Sequence, residues 1–202
     1  MAALLEFDGL VRRFGRLAVL RGVSGRVEEG QVLLVTGSNG AGKSTLLRCL
    51  AGLLRPQAGS IRCEEEGRGL TVAERRRRIG WVAPDLAFYE PLSVGENLEL
   101  FARLRRVDPG PALASMVSLG VPLDRAAGAL SSGMRQRLRW VWALLHRPGV
   151  LLLDEPFQNL DAAGETAVRQ LLGDHLRRGL AVVATPTALD LPRVAARLEL
   201  TP

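Results

Sequence analysis

Residues 37–45 combine glycines, a lysine and three hydroxyl groups in a pattern that binds phosphate. The segment matches GxxxxGK[ST], in which glycines allow a tight turn whose backbone N–H groups point inward at phosphate oxygens. The lysine of such a loop reaches the β- and γ-phosphates of a nucleotide, and the next hydroxyl is a ligand for Mg²⁺. We therefore predict nucleotide contacts from this phosphate-binding loop, namely from Gly37, Ser38, Asn39, Gly40, Ala41, Gly42, Lys43, Ser44 and Thr45.

The composition of the chain sets Lys43 apart. There are 27 lysine and arginine residues in total, and Lys43 is the only lysine among them. A compact ammonium group fits among phosphate oxygens, where a planar guanidinium group does not replace it. A chance glycine-rich turn is the alternative. It is disfavoured because an apolar strand precedes the loop and an amphipathic helix follows it, as phosphate binding requires.

Two acids, Asp154 and Glu155, directly follow the apolar run 150–153. Asp154 is placed to hold Mg²⁺ through water beside the phosphates, and Glu155 is placed to polarise the attacking water as a general base. Apolar strands that end in solvated acids are common in α/β folds, so the pair alone would leave that alternative open. Together with the loop it predicts a catalytic site, with Lys43 and Glu155 as catalytic residues and Ser44 and Asp154 as metal ligands.

The apolar pattern also predicts the elements that position these residues. The run 32–36 is continuously apolar, as in a strand buried on both faces, and it stops at Gly37. Leucines at helical spacing after the loop predict a helix over 43–54. Further strands are predicted at 79–82, 150–153 and 180–184, with a helix at 162–178.

Two regions differ from this alternation of strands and helices. Residues 4–27 alternate apolar and polar residues, with predicted turns at Phe14-Gly15 and Arg21-Gly22, which indicates antiparallel strands. The middle of the chain contains three predicted helices, at 92–104, 111–119 and 131–145.

The expected fold is therefore a single α/β domain over residues 1–202 with a mixed or parallel sheet. Residues 1–84 and 148–202 are expected to form the nucleotide-binding core with an N-terminal antiparallel lobe. Residues 85–147 are expected to form an inserted helical subdomain.

Composition excludes several classes of protein. Hydrophobic residues make up 47% and charged residues 24% of the chain, which suits a packed core and not disorder. No apolar run approaches the roughly 20 residues that span a bilayer, and the N-terminus lacks the features of a secretory signal. The net charge of +6 is compatible with nucleic acid, but the arginines are spread along the chain without interleaved aromatic residues. We expect a soluble protein that associates with membranes only through a partner, and no nucleic-acid partner.

With these motifs, the chain resembles the ABC ATPase family over nearly its full length. The family's LSGGQ signature, which opens a helix, corresponds to Leu130-Ser131-Ser132-Gly133-Met134, with Ser132 and Met134 in place of glycine and glutamine. The resemblance implies that Ser131, Ser132, Gly133 and Met134 meet the γ-phosphate bound to a second copy, so that two chains enclose two ATP molecules. Such a small-residue turn at a helix N-terminus suits an anion, and an ordinary serine N-cap is the alternative.

The resemblance also implies a P-loop core that binds ATP and Mg²⁺, hydrolyses ATP, forms a homodimer on ATP binding and drives a separate transmembrane subunit. Phe14 stands where the family has an aromatic residue that stacks on adenine. A core residue on a strand face is the alternative for Phe14. Asp161, in the segment Asn159-Leu160-Asp161, matches the family's D-loop, which couples the two sites.

Two positions depart from the family pattern. The glutamine expected after strand 79–82 corresponds to Pro84, and the histidine expected after the last core strand corresponds to Pro186. Proline provides neither a side-chain ligand nor a backbone N–H. Because both missing groups help to sense the γ-phosphate in the family, we expect normal binding of MgATP and slow hydrolysis. Asp85, Thr185 and Thr187 are candidate substitutes.

Segments 82–89 and 131–137 are similar to a branch of the family that supplies the ATPase of the cytochrome c maturation haem exporter. This similarity implies a motor subunit on the cytoplasmic face of the inner membrane, held there by its partner. Short ABC ATPases for other substrates are the alternative, as is a module that binds ATP and dimerises with little hydrolysis. An ATPase acting on DNA or ribosomes is disfavoured, because such members usually have tandem cassettes or long coiled-coil insertions.

Overall fold

The computed structural model describes residues 3–201, and within them the chain forms nine β-strands, six α-helices and one short 3-10 helix. The strands are β1 (Ala3–Phe14), β2 (Leu17–Glu28), β3 (Val32–Thr36), β4 (Ala58–Glu65), β5 (Arg68–Gly69), β6 (Ile79–Val82), β7 (Val150–Asp154), β8 (Leu180–Thr185) and β9 (Val194–Glu199). The helices are α1 (Lys43–Leu50), α2 (Val72–Arg78), α3 (Val94–Arg105), α4 (Gly110–Ser118), α5 (Ser132–Leu144) and α6 (Ala162–His175), and the 3-10 helix is Ala127–Ala129.

The central sheet has the strand order β6-β7-β8-β3-β9, and its neighbouring strands are parallel. Alternate residues of β3, β7 and β8 enter two different cores, which explains why these strands are apolar without a break. One core lies against α1, and the other lies against α5 and α6. The predicted mixed or parallel sheet is confirmed, and its described strands are all parallel.

A second, antiparallel sheet has the order β2-β1-β4-β5 and covers the α1 side of the core. Every second residue at the start of β1 is buried, among them Leu5 and Phe7, as its apolar–polar alternation predicts. The predicted turn at Arg21-Gly22 is wrong. Strand β2 continues through it, and Gly22, at φ +84°, is the extra residue of a bulge between Arg21 and Val23, which face consecutive residues of β1.

Helix α1 ends at Leu50, four residues earlier than predicted. Gly52 has φ +74°, a left-handed conformation that ends the helix. As a result Leu53, which has the right spacing for the apolar face, is 62% exposed instead. Helix α6 is also shorter than predicted, since it ends at His175.

Helices α3, α4 and α5 enclose a third core of their own. Its buried members include Leu98, Met116 and Leu138, one from each helix. Helix α5 also contacts β6, so it connects this helical region to the parallel sheet. Among residues 3–201, no helix combines the length and the apolar character needed to cross a bilayer.

Candidate nucleotide-binding site

The phosphate-binding loop connects β3 to α1, and its path depends on glycine. Gly37 has φ +149°, and a Cβ atom there would lie 2.4 Å from the carbonyl oxygen of Leu200. Gly42 has φ +102°, and a Cβ atom would lie 2.8 Å from Cγ1 of Val19. Both positions combine a left-handed backbone with a close neighbour, so a larger residue would displace the loop.

Helix α1 begins without a side-chain cap. Its N-cap is Gly42, and no acidic residue lies in the first turn. The first N–H groups of a helix have no partner within the helix, and together with the helix dipole they attract an anion. Helices α2, α3, α5 and α6 satisfy part of these groups internally, through the side chains of Thr71, Ser93, Ser131 and Asp161, whereas α4 has no side-chain cap either.

Lys43 is held inside the loop. Its Nζ atom donates to the carbonyl oxygens of Gly37, at 2.7 Å, and Ser38, at 3.0 Å, and the residue is only 6% exposed. An ammonium group has three N–H donors, so one remains for an oxygen of a bound ligand. The two hydrogen bonds to backbone carbonyl oxygens thus fix the position of the positively charged Nζ atom in the loop.

Asp154 ends β7 and lies beside the start of α1. It is 5% exposed, and this burial raises the pKa of its carboxyl group, against the influence of the Ser44 hydroxyl and the Lys43 ammonium group. A buried carboxylate next to a hydroxyl is a pair of hard oxygen donors, as Mg²⁺ requires. Within the described chain no group of three or more His, Cys, Asp or Glu side chains is arranged to hold a metal. The pair fits Mg²⁺, which in proteins usually binds few protein oxygens and completes its shell with water and phosphate.

Glu155 follows in an unusual backbone conformation. Its φ is +47°, which is uncommon for a residue with a side chain, and its N–H donates to the carbonyl oxygen of Ala184 at 2.9 Å. The chain therefore bends directly after β7. Asp154 stays buried beside Ser44, while the Glu155 side chain faces the cleft above the loop.

A cleft of about 510 Å³ lies above the phosphate-binding loop, within the range of roughly 300–1,000 Å³ typical of ligand sites. Phe14 lies on its wall, 49% exposed, with the Arg12 guanidinium 4.8 Å from its ring centroid. Two lining residues, Val19 and Arg48, were not predicted from the sequence. The cleft is lined by Phe14, Val19, Asn39, Gly40, Gly42, Lys43, Ser44, Thr45, Arg48 and Glu155.

The signature residues lie outside this cleft. Ser131 is the N-cap of α5, where its hydroxyl accepts from the N–H of Met134 at 3.2 Å. Ser131 and Ser132 are exposed, and a Cβ atom on Gly133 would lie 2.8 Å from the carbonyl oxygen of Asn159. The signature turn is therefore packed against the segment before α6.

Asp161 is the N-cap of α6, and its carboxylate accepts from the N–H of Gly164 at 2.8 Å. It also pairs with the guanidinium of Arg137 on α5. These two interactions, with the Gly164 N–H first, lower the pKa of Asp161. The residue thus connects α6 to the signature helix, and it does not line the cleft described above.

The two prolines that replace the expected polar residues are both exposed at ends of parallel strands. Pro84 lies two residues after β6, and Pro186 directly follows β8. Next to Pro186, the buried hydroxyl of Thr185 donates to the carbonyl oxygen of Thr187. The Asp85 carboxylate pairs with Arg48 at 2.7 Å. Two of the candidate substitutes, Asp85 and Thr185, therefore already have partners.

Comparison with known proteins decides the family. A family model described as "ABC transporter" matches residues 20–158, which is more than half of the chain. The chain belongs to the ABC transporter family. This family member is 38% identical over 186 residues to the Fe(3+) ions import ATP-binding protein FbpC 3 of Rhodococcus jostii (strain RHA1), in an alignment that covers 88% of this chain and 53% of that protein. It is 35% identical over 201 residues to the zinc import ATP-binding protein ZnuC of Yersinia enterocolitica, in an alignment that covers 98% of this chain and 75% of that protein.

The chain spans about half the length of the iron-import relatives that it matches. Among solved structures, the ATP-binding subunit of an ABC transporter matches with a TM-score of 0.78 at 27% identity, over 91% of this chain and 79% of that chain. An ATP-binding cassette in a dimeric post-hydrolysis state, bound to ADP and Pi, matches with a TM-score of 0.78 at 24% identity, over 90% of this chain and 87% of that chain. The ABC ATPase fold of this chain is thereby confirmed.

Proposed function

We propose that this chain is the ATP-binding and ATP-hydrolysing motor subunit of an ABC transporter. One observation supports this most strongly: the uncapped N-terminus of α1, with Lys43 inside the loop, lies beside the strand end that holds Asp154 and Glu155. Groups that can bind phosphate, hold a metal ion and activate a water molecule thus lie next to one another.

Each residue has a distinct role in this proposal. Lys43 and the first N–H groups of α1 hold the phosphates, and Phe14 stacks on the base. Ser44 and Asp154 hold Mg²⁺, which when bound supplies positive charge to balance the phosphate oxygens. Glu155 accepts a proton from the water that attacks the γ-phosphate. Its backbone bond to Ala184 fixes the position from which it does so.

The site is completed by a second copy of the chain. Ser131, Ser132, Gly133 and Met134 do not line the cleft of their own chain, and both serines are exposed at the start of α5. Ser131 satisfies one N–H group of this first turn, that of Met134, and the others remain for an anion. In a homodimer they would contact the γ-phosphate held by the partner copy. Asp161 would respond to the partner's nucleotide through its ion pair with Arg137 on the signature helix. The fold shared with a cassette that was solved as a dimer supports this arrangement.

The transport function rests on relatives. Their names include import of Fe(3+) ions, zinc and sulfate/thiosulfate, so a transporter for a substrate other than haem fits them better than haem export does. We propose that a transmembrane subunit holds this chain at the cytoplasmic face of the membrane. In the same proposal, residues 85–147 form a helical subdomain that carries the signature residues and transmits movements of the ATPase to the transmembrane subunit.

A second candidate is a module that binds ATP and dimerises but hardly hydrolyses it, which Pro84 and Pro186 favour. Binding of a fluorescent ATP analogue and release of phosphate, each with Mg²⁺ and with a chelator, distinguish the two. The motor predicts both binding and Mg²⁺-dependent release. The non-hydrolysing module predicts binding alone, and the absence of binding would contradict both.

We expect the Pro186→His variant to release phosphate faster than the wild-type protein does. One pre-organised hydrogen bond to the transition state typically changes a rate by about 10²–10³-fold, and a histidine after β8 would restore one. Single-turnover phosphate release measures this effect. Pro192→His, at an exposed proline in the same connection, is the matched control and should change nothing. Fast phosphate release by the wild type, with no effect of Pro186→His, would show that another group already makes the contact to the γ-phosphate.

A further inference from the structure

The guanidinium of Arg139 connects three parts of the molecule. From α5 it donates through Nη2 to the carbonyl oxygen of Pro84 at 2.6 Å, and through Nε to that of Leu86 at 3.3 Å. Through Nη1 it donates to Oε1 of Gln136, one turn earlier on the same helix, at 3.0 Å. A planar fork reaches acceptors in several directions at once, which a single ammonium group does not.

Gln136 extends this connection to the catalytic strand end. It is 3% exposed, and its Nε2 donates to the carbonyl oxygen of Pro156 at 2.8 Å. The indole N–H of the fully buried Trp140 donates to the same oxygen, also at 2.8 Å. The backbone immediately after Glu155 is therefore anchored twice to α5.

This anchoring matters because of the conformation of Glu155. A left-handed backbone at a residue with a side chain persists only where the surroundings determine it. Here the Glu155 N–H donates to the carbonyl oxygen of Ala184 on one side. On the other side, the carbonyl oxygen of the next residue, Pro156, accepts from Gln136 of α5. Loss of the second anchor would leave the carboxylate free to shift relative to the phosphate-binding loop.

We propose that Arg139 and Gln136 form a positioning bridge that couples the loop after β6 (residues 83–87) to the general base Glu155. Pro84 contributes no side-chain ligand, so the connection of the loop to Glu155 runs through its backbone carbonyls and Arg139. The ion pair of Asp85 with Arg48, on the wall of the cleft, is a separate contact of the same loop. A displacement of this loop then moves Gln136, and with it the peptide that orients Glu155. The bridge rests on the proposed function, because it positions the base of the proposed hydrolysis.

The test uses Arg139→Met, which keeps the length of the side chain, and Arg139→Lys, which keeps the charge but not the fork. We expect kcat to fall by about 10-fold to 100-fold in Arg139→Met, since small misplacements of a catalytic group have effects of this size. The affinity of Arg139→Met for ATP should stay unchanged. The kcat of Arg139→Lys should lie between those of the wild type and Arg139→Met. Arg103→Met, at an exposed arginine of α3, is the control. An unchanged kcat, or an equal loss of kcat and affinity, would overturn the bridge.

Hydrogen exchange gives a second readout that needs no turnover. The N–H groups of Leu86, Glu155 and Gln158 donate to backbone carbonyls and report on the two ends of the bridge. We expect Arg139→Met to accelerate exchange at both ends. Faster exchange at Leu86 alone would mean that Arg139 only anchors the loop, and it would overturn the bridge. A wild type without turnover would refute the proposed function, while the exchange result would still decide on the bridge.

Discussion

Lys43→Ala is expected to abolish ATP turnover and to weaken ATP binding strongly. A hydrogen bond to a charged group contributes about 1.5–3 kcal/mol, which corresponds to roughly a 10-fold to 100-fold loss of affinity. Since Lys43 is the only lysine of the chain, no neighbouring ammonium group can replace it. Lys43→Arg should fail as well, because a planar fork does not fit among the phosphate oxygens of the loop.

The measurements for Lys43→Ala are a fluorescence titration with an ATP analogue and an assay of phosphate release. Thermal unfolding checks that the domain is intact, since the change removes only the two bonds to Gly37 and Ser38. Arg178→Ala, at an exposed arginine after α6, serves as the control. Unimpaired binding and hydrolysis in Lys43→Ala would refute the nucleotide site.

Glu155→Gln is expected to trap an ATP-bound dimer. Glutamine keeps the shape of the side chain and removes the base, so turnover should fall by about 10²–10⁴-fold while ATP binding persists. The two chains could then close around two nucleotides without completing the reaction. Size-exclusion chromatography with MgATP should show a shift from monomer to dimer.

The control for this experiment is Glu99→Gln, at an exposed glutamate of α3. It should behave as the wild type does, with normal turnover and no trapped dimer. A Glu155→Gln protein that binds MgATP and stays monomeric would contradict the two-chain site.

The parts of the site that could be predicted are those specified by neighbouring residues. The phosphate-binding loop is a contiguous segment whose glycines, lysine and hydroxyls are all needed locally, and a buried strand precedes it. The same holds for Asp154 and Glu155 at the end of β7. In each case the apolar run identified the strand, and the polar residues after it marked the edge of the sheet.

The missed features depend on contacts between distant segments. Arg139 and Gln136 bind carbonyls more than fifteen positions away along the chain, and helical periodicity alone does not reveal such partners. Strand β9 was not predicted because it lies at the edge of the sheet and is mostly exposed, so it shows no alternation. The bulge at Gly22 was mistaken for a turn because glycine is common to both.

The central claim is that Glu155 acts as the base for hydrolysis of MgATP held by the phosphate-binding loop. The most direct measurement is the rate of phosphate release by wild-type protein and by Glu155→Gln, with ATP binding determined on the same samples. The predicted result is Mg²⁺-dependent release by the wild type that is lost in Glu155→Gln, with ATP binding retained in both. Equal release by both proteins, or a wild type that does not bind ATP, would contradict it.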